Sequence, residues 1–256
     1  MRVSRRLLLS ALAGLVTVGA HADISDAIAR VKPSIVIVGS YKSTDSPRFR
    51  LRGTGFVVGD GNLVVTNAHV LPGPSEDLAG ASLAIQVRVG ERELQMRQAE
   101  VLELDRVHDL ALMRFQGPPV PAIPVRESDS VREGQSVAFT GFPIGQALGF
   151  SPVTHRGMIS SITPSPMPAP TASQLNESTI RAARAGAFDI FQLDGTAYPG
   201  NSGGPLFDPE NGDVLGIVNM VFIKGTRESA LSQPSGISYA IPSKFILQLL
   251  ARAQGK

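Results

Sequence analysis

Short apolar stretches dominate the chain and predict a β-rich fold. They are rich in β-branched and aromatic residues, and turn-forming residues separate them. We predict strands in segments 34–41, 53–66, 82–90, 109–115, 136–142, 153–162, 188–193, 213–222 and 236–241. Asp60-Gly61 and Asn211-Gly212 are dipeptides typical of tight hairpin turns. The pattern therefore favours an all-β fold built from hairpins.

A proline-rich stretch separates two strand-rich halves of similar size. Residues 116–124, "QGPPVPAIP", contain four prolines and are typical of an extended linker. The chain closes with "PSKFILQLLARAQ", where Pro242 and Ser243 precede apolar residues at helical spacing. We predict two packed β-barrels, over residues 23–117 and 118–256, and a C-terminal α-helix.

Residues 163–187 interrupt the strand pattern. The first half of this segment is rich in proline, and the second half has the composition of one or two helical turns. A loop of this length inside a compact domain is often a lid or a binding element. We predict a surface loop here, with no role assigned to it.

The first 22 residues have the features of a secretory signal peptide. Three arginines precede an apolar run from Leu7 to Ala20, and Ala20-His21-Ala22 forms a small-x-small cleavage site. The paired arginines also weakly resemble a twin-arginine export signal. We predict an exported protein, periplasmic or secreted, that has no membrane partner after the signal peptide is removed.

Removal of this leader changes the charge balance. Three of the 24 basic residues lie in the leader, so 21 basic and 22 acidic residues remain. This balance offers no charge-based case for binding to nucleic acid or to a membrane surface. The chain has no cysteine, which excludes thiol catalysis, and four histidines leave little material for a metal site. We predict no metal and no cofactor.

Glycines and prolines surround a single serine in "TAYPGNSGGPLF", residues 196–207. This stretch is either a plain turn between strands or a loop that exposes Ser202 and directs backbone N–H groups at a reacting atom. "GNSGG" also fits the Gly-x-Ser-x-Gly pattern of α/β-hydrolases, in which the catalytic histidine follows the serine. The histidines stand at 21, 69, 108 and 155. None follows Ser202, so that alternative is excluded.

The order His, Asp, Ser remains, and each position has a candidate. His69 ends the apolar stretch "LVVTNAHVL", and Asp109 opens "DLALMRF". Taken singly, His69 suits a hydrogen-bonded structural histidine, Asp109 a turn former, and Ser202 a turn residue. Taken together, the three residues in this order favour a catalytic triad.

The motifs carry a family resemblance. "GTGFVV", "VVTNAHV", "DLALMR", "QLDGTAYPGNSGGPL" and "GISYAIPS" follow one another in the order found in chymotrypsin-fold serine peptidases. The chain most closely resembles the bacterial HtrA-type (Deg) trypsin-like proteases, over roughly residues 25–253. The resemblance implies two six-stranded antiparallel β-barrels and a serine endopeptidase that acts on unfolded or extended polypeptides.

The resemblance also implies roles for residues of the site. Ser202 would attack the peptide carbonyl, His69 would accept its proton, and Asp109 would orient the imidazole. The turn Gly200-Asn201-Ser202 would form the oxyanion hole, with the N–H groups of Gly200 and Ser202 directed at the oxyanion.

The expected specificity pocket includes Thr196 and Ala197, with walls from Val218, Asn219 and Met220. No acidic residue is expected at its floor, so small or medium apolar substrate side chains are favoured over Lys and Arg. The substrate backbone is expected to pair beside residues 218–220.

Three other polar residues are expected to lie outside this site. His108 is not expected to pair with Asp109, because neighbouring residues on an extended chain point to opposite faces. Asp105 is expected in the turn before the strand, and both residues are expected to be solvated. His155 is expected at the surface.

The sequence departs from the related families at two points. Digestive relatives have an aspartate directly before the serine, where this chain has Asn201, so activation by insertion of a new N-terminus is not expected. HtrA-type proteins usually carry C-terminal PDZ domains, whereas this chain ends about fourteen residues after "AIP". Two alternatives stay open: a non-catalytic peptide-binding protein on the same fold, and a serine esterase. The oligomeric state is not predicted.

Overall fold

The computed structural model describes residues 23–73, 80–90, 93–143, 150–165, 188–219 and 237–255. The predicted signal peptide, Met220 and most of the 163–187 loop lie outside the described residues.

The described residues form twelve strands and two α-helices. The strands are β1 (Ile35–Tyr41), β2 (Phe49–Val58), β3 (Leu63–Asn67), β4 (Ser82–Arg88), β5 (Leu94–Asp105), β6 (Leu110–Phe115), β7 (Ser136–Gly141), β8 (Val153–Pro164), β9 (Asp189–Asp194), β10 (Pro205–Phe207), β11 (Val214–Asn219) and β12 (Ile237–Pro242). The helices are α1 (Ile24–Val31) and α2 (Ser243–Gln254), and short 3-10 helices cover Lys32–Ser34 and Ala68–Val70.

These strands close into two six-stranded barrels. The N-terminal barrel has the strand order β1-β2-β3-β6-β5-β4, and the C-terminal barrel has the order β10-β11-β12-β9-β8-β7. Neighbouring strands of both barrels pair in antiparallel fashion. The prediction of two six-stranded antiparallel barrels with a C-terminal helix is confirmed. The expected division at residues 117 and 118 falls in the segment between β6 and β7.

One hydrophobic core extends across both barrels. It joins Phe56 and Leu112 of the N-terminal barrel to Phe207 and Ile217 of the C-terminal barrel. The helix α2 adds Phe245 to this core and packs against β5 and β6 on one side and β11 and β12 on the other. Burial of this continuous apolar surface fixes the barrels relative to each other, so their facing loops can share one site.

Three elements differ from the expectation. The twelve-residue strand β5 was not predicted. It has only one buried side chain, although partly buried residues such as Leu94 and Leu102 pack against the core. Polar and apolar residues do not alternate regularly along it, so its sequence carried little strand signal. The strand β10 is only three residues long, and α1 lies directly after the predicted leader. No helix among the described residues is long and apolar enough to cross a membrane.

Candidate active site

His69 and Asp109 lie at adjacent strand ends in the N-terminal barrel. The strands β3 and β6 pair with Asn67 opposite Leu110. Ala68, which follows β3, therefore meets Asp109, which precedes β6, and His69 is the next residue. The His69 ring donates from Nδ1 to Asp109 Oδ2 over 2.6 Å, and the His69 backbone N–H donates to Asp109 Oδ1 over 2.8 Å. With its proton on Nδ1, a neutral imidazole presents Nε2 as an acceptor.

The backbone of Asp109 has an unusual conformation that the surrounding groups stabilise. Its φ is 52°, in the left-handed region that few residues other than glycine adopt. Its carbonyl oxygen accepts the Ala68 N–H at 3.0 Å and Asn67 Nδ2 at 3.1 Å. Positions of this kind cost about 1–3 kcal/mol and often occur at functional sites. Asp109 lies directly before strand β6, which begins at Leu110, and its carboxylate contacts His69.

A third residue, Asn219, contacts the Asp109 carboxylate from the C-terminal barrel. Its side chain is fully buried, and Nδ2 donates to Asp109 Oδ2 over 2.7 Å. From the sequence, Asn219 was predicted to line the wall of the specificity pocket, and its contact with Asp109 was not predicted. The available signal was a polar residue at the end of the apolar strand β11, which predicts a buried hydrogen bond.

We define the serine loop as residues 196–204. Within it, the Asn201 N–H donates to the Tyr198 carbonyl at 2.9 Å, and Gly200 in between has φ 104°. A positive φ at the third position is the signature of a type II turn and requires glycine. A Cβ at Gly203 would overlap the Thr54 carbonyl oxygen, so this position also accepts only glycine.

The three backbone N–H groups of this turn differ in their hydrogen bonding. Among the described residues, the N–H groups of Gly200 and Ser202 donate to no protein acceptor, whereas the N–H of Asn201 between them is bonded. Two free N–H groups in one tight turn, on either side of a bonded one, form an arrangement that can accept an anionic oxygen.

Ser202 is 6% exposed and lies where the two barrels meet. Its carbonyl accepts the Thr54 N–H of β2 at 2.8 Å. The next residue, Gly203, donates to the carbonyl of Val218, which directly precedes Asn219. These contacts bring Ser202 to the same side of the barrel interface as the His69–Asp109 pair. Within the described part of the chain, the Ser202 hydroxyl and the His69 ring share no hydrogen bond. Such contacts are often long in unliganded enzymes.

The residues expected in the specificity pocket have different surroundings. Thr196 is half-buried and Ala197 is buried. The buried Ser238 on β12 accepts the Ala197 N–H and donates to the Gly195 carbonyl, both over 2.7 Å, which holds this segment in place. Val218 is fully buried, and both of its backbone groups bond to Gly203 and Gly204. Its backbone holds the serine loop, so pairing with a substrate would fall to residues after it.

The expectation that Asp105 and His108 are solvated is wrong. His108 stacks on Phe245 at 3.9 Å between ring centroids and donates from Nδ1 to Asp105 Oδ2 over 2.9 Å. Arg252 Nη2 donates to the same oxygen over 2.7 Å. Burial by itself raises the pKa of Asp105, but the hydrogen bonds from His108 and Arg252 outweigh it and hold the pKa well below its usual range.

His155 is half-buried and not fully exposed at the surface as expected. Its ring stacks on Phe139 at 4.9 Å and lies 6.2 Å from the Tyr198 ring, and its buried Nε2 has no hydrogen-bond partner among the described residues. Burial lowers the pKa of His155. None of the described residues form a cluster of three or more histidines and carboxylates that could hold a metal ion.

Residues 53–217 match the model of the trypsin-like peptidase domain family. This match begins in β2, includes His69, Asp109 and Ser202, and ends in β11. The chain belongs to this family, whose members are serine proteases with the chymotrypsin fold.

The relatives are of the HtrA type. A probable periplasmic serine endoprotease, DegP-like, from Halomonas elongata is 32% identical over 193 residues, which cover 75% of this chain and 33% of the relative. Mitochondrial serine protease HTRA2 from Bos taurus is 29% identical over 91% of this chain and 43% of its own length. The chain thus spans less than half of the length of either relative.

A solved structure shows the same fold. The structure of the HtrA-type protease AlgW with a tripeptide covers 90% of this chain with a TM-score of 0.62 and 25% sequence identity. This chain covers 62% of the AlgW chain.

Proposed function

We propose that this protein is an exported serine endopeptidase that hydrolyses peptide bonds through an acyl-enzyme. His69, Asp109 and Ser202 are its catalytic triad. The single observation that carries the proposal is the 2.6 Å contact between His69 Nδ1 and Asp109 Oδ2, because it leaves Nε2 as the base for a nucleophile.

The chemistry begins with a proton transfer. A serine hydroxyl is a weak nucleophile at neutral pH, so His69 Nε2 takes the Ser202 proton as Oγ attacks the substrate carbonyl. The Asp109 carboxylate stabilises the imidazolium that forms. His69 then returns the proton to the leaving amine, and water hydrolyses the acyl-enzyme with His69 as base again.

The free N–H groups of Gly200 and Ser202 form the oxyanion hole. As Oγ attacks, negative charge develops on the substrate carbonyl oxygen, and donors already in place stabilise this charge without reorganisation. The lack of a protein acceptor for these two amides supports the assignment. Asn201 contributes the bonded amide between them.

The substrate is an unfolded or extended polypeptide. The AlgW structure contains a tripeptide, which supports peptides as the ligand class. The half-buried Thr196 and the buried Ala197, with no acidic side chain at either position, favour small or medium apolar side chains in the pocket. Cleavage of a peptide library mainly after Lys or Arg would contradict this preference.

Two observations support export. Residues 1–22 carry the pattern of a secretory leader, and the Halomonas elongata relative is named as periplasmic. We propose a periplasmic or secreted location, with no nucleic-acid partner.

Digestion of a denatured protein tests the activity. The purified full chain is incubated with reduced, unfolded casein and, separately, with a fluorophosphonate probe, beside the Ser202→Ala variant. We expect fragments and labelling from the wild type and neither from the variant. Peptide binding without labelling would favour the peptide-binding alternative, and hydrolysis of small esters without casein cleavage would favour the esterase.

A further inference from the structure

Thr54 is a fully buried residue of β2 whose polar groups meet the serine loop. Its hydroxyl donates to the Gly200 carbonyl over 2.6 Å and accepts the Phe142 N–H at 3.1 Å. Its backbone N–H donates to the Ser202 carbonyl over 2.8 Å. Its carbonyl accepts the Thr66 hydroxyl at 2.7 Å. One residue of the N-terminal barrel therefore contacts two carbonyls of the loop that carries the nucleophile.

These contacts determine how the peptide groups of the turn are oriented. The carbonyl of Gly200 and the N–H of Asn201 belong to one planar peptide group. Thr54 holds the carbonyl end of this group, and the Tyr198 carbonyl holds the N–H end. The next peptide group is fixed by the Gly204 N–H, which donates to the Asn201 carbonyl over 2.9 Å. The N–H of Ser202 belongs to that second group and points away from the carbonyl.

We propose that the Thr54 hydroxyl is a positioning group for the oxyanion hole. With the Gly200 carbonyl held by Thr54 and the Asn201 N–H held by Tyr198, the Gly200–Asn201 peptide keeps the orientation of the closed turn, in which the N–H groups of Gly200 and Ser202 have no acceptor among the described residues. This inference rests on the proposed function, since it assigns Thr54 a part in the same chemistry.

Burial makes the hydroxyl hard to replace. Gly200 is half-buried, and Thr54 and Asn201 beside it are fully buried, so the Thr54 side of the Gly200 carbonyl is shielded from bulk water. Without the hydroxyl, the Gly200 carbonyl and the Phe142 N–H both lose a partner in a dry environment. Rotation of the Gly200–Asn201 peptide would relieve this cost. It would also move the Asn201 N–H off the Tyr198 carbonyl and open the turn on which the placement of the two free amides depends.

The close approach depends on a neighbouring glycine. A Cβ at Gly203 would overlap the Thr54 carbonyl and lie 2.5 Å from the Thr66 hydroxyl. The serine loop therefore packs directly on the backbone of β2. This close packing lets the short Thr54 side chain bond the Gly200 carbonyl through its hydroxyl.

The test compares Thr54→Val with Thr54→Ser. Valine keeps the shape of threonine and lacks the hydroxyl, whereas serine keeps the hydroxyl. The matched control is Thr140→Val, because Thr140 is also buried and its backbone also lies against the serine loop, at Gly204. Its hydroxyl forms one 2.7 Å contact, to Thr154, which lies outside that loop. The measurements are kcat and KM on a peptide substrate, the rate of fluorophosphonate labelling, and the midpoint of thermal unfolding.

We expect Thr54→Val to lower kcat by about 10- to 100-fold with little change in KM, below the loss of about 100- to 1,000-fold on deletion of an oxyanion donor. The labelling rate should fall in parallel, and Thr54→Ser should recover most of kcat. Thr140→Val should keep kcat near the wild-type value, even if its midpoint of thermal unfolding falls by as much as that of Thr54→Val.

Three outcomes would overturn the inference. They are an unchanged kcat in Thr54→Val, equal losses of kcat in Thr54→Val and Thr140→Val, and no recovery in Thr54→Ser when that variant is folded. A wild-type protein that neither cleaves nor becomes labelled would refute the proposed function, and the positioning role with it. An active wild type with an equally active Thr54→Val would refute only the positioning role.

Discussion

Two histidine–aspartate pairs involve the short loop between β5 and β6, and they have opposite environments. His69 and Asp109 are joined over 2.6 Å, and their side chains are 32% and 21% exposed. His108 and Asp105 are joined over 2.9 Å, and their side chains are 19% and 9% exposed. In both pairs the histidine uses Nδ1, so the difference lies in what surrounds each pair.

The surroundings of the two pairs differ. Beside the first pair, Asn219 donates to the Asp109 carboxylate, and the His69 side chain keeps about a third of its surface exposed. In the second pair, Phe245 stacks on one face of the His108 ring and Phe188 lies against the ring edge-on. Arg252 donates a further hydrogen bond to the Asp105 carboxylate. The first pair is the one that we propose for catalysis, whereas the second attaches helix α2 to the N-terminal barrel through Phe245 and Arg252.

The largest expected effect comes from removing the first pair. Asp109→Asn should lower kcat by about 10,000-fold, because an uncharged amide no longer stabilises the imidazolium or fixes the tautomer of His69. The matched control is His108→Phe, which keeps an aromatic ring against Phe245. It should leave kcat within about 3-fold of wild type and should lower stability by about 1–2 kcal/mol through the lost hydrogen bond to a charged group. A kcat in Asp109→Asn close to that of the control would contradict the assignment.

A smaller effect is expected from the buried amide beside Asp109. Asn219→Leu removes the 2.7 Å donor to the carboxylate and keeps a side chain of similar size. Hydrogen bonds to charged groups contribute about 1.5–3 kcal/mol, so kcat/KM should fall by about 10- to 100-fold. As a control, Asn62→Leu removes amide contacts to Phe115 and Gly117 at the other end of β3. Steady-state kinetics of the two variants should separate them, and equal activities would refute a role for Asn219.

The second pair should affect stability more than activity. Arg252→Met leaves the nearly buried Asp105 carboxylate with one cationic partner fewer, so it should lower the free energy of unfolding by about 1–2 kcal/mol. Arg114→Met breaks an exposed pair with Asp60 and should cost about 0.5 kcal/mol or less. Urea unfolding measures both, and kcat should change by less than about 3-fold in each. A greater loss of stability in Arg114→Met would reverse this ranking.

The smallest effect concerns acid stability. Because the pKa of Asp105 is lowered in the folded protein, its contribution is fully present above the unfolded pKa, about 4, and is lost as pH falls towards the folded pKa. Asp105→Asn should therefore show a weaker decline of stability below pH about 4 than the wild type. Urea midpoints measured between pH 6 and pH 3 test this, and parallel curves for the two proteins would contradict it.

Local patterns predicted most of the strands and little of what surrounds the site. The hairpin at Asp60-Gly61 and the helix start at Ser243 agree with the structure, because turn residues and helical spacing act over a few residues. The strand β5 was not predicted because its polar and apolar residues do not alternate regularly, and its pairing with β4 is visible only in the folded sheet. Asp105 and His108 were expected in solvent because nothing near them in sequence indicates the aromatic side chain of Phe245.

The order of His69, Asp109 and Ser202, the two β-rich halves and the glycines around the serine are properties of the chain, since each depends on residue type and local spacing. The hydrogen bonds of His69 to Asp109, the Asn219 contact and the Thr54 contact depend on tertiary structure. These bonds join residues 40, 110 and 146 positions apart, and only the packing of two closed barrels against each other brings such distant groups within hydrogen-bonding distance.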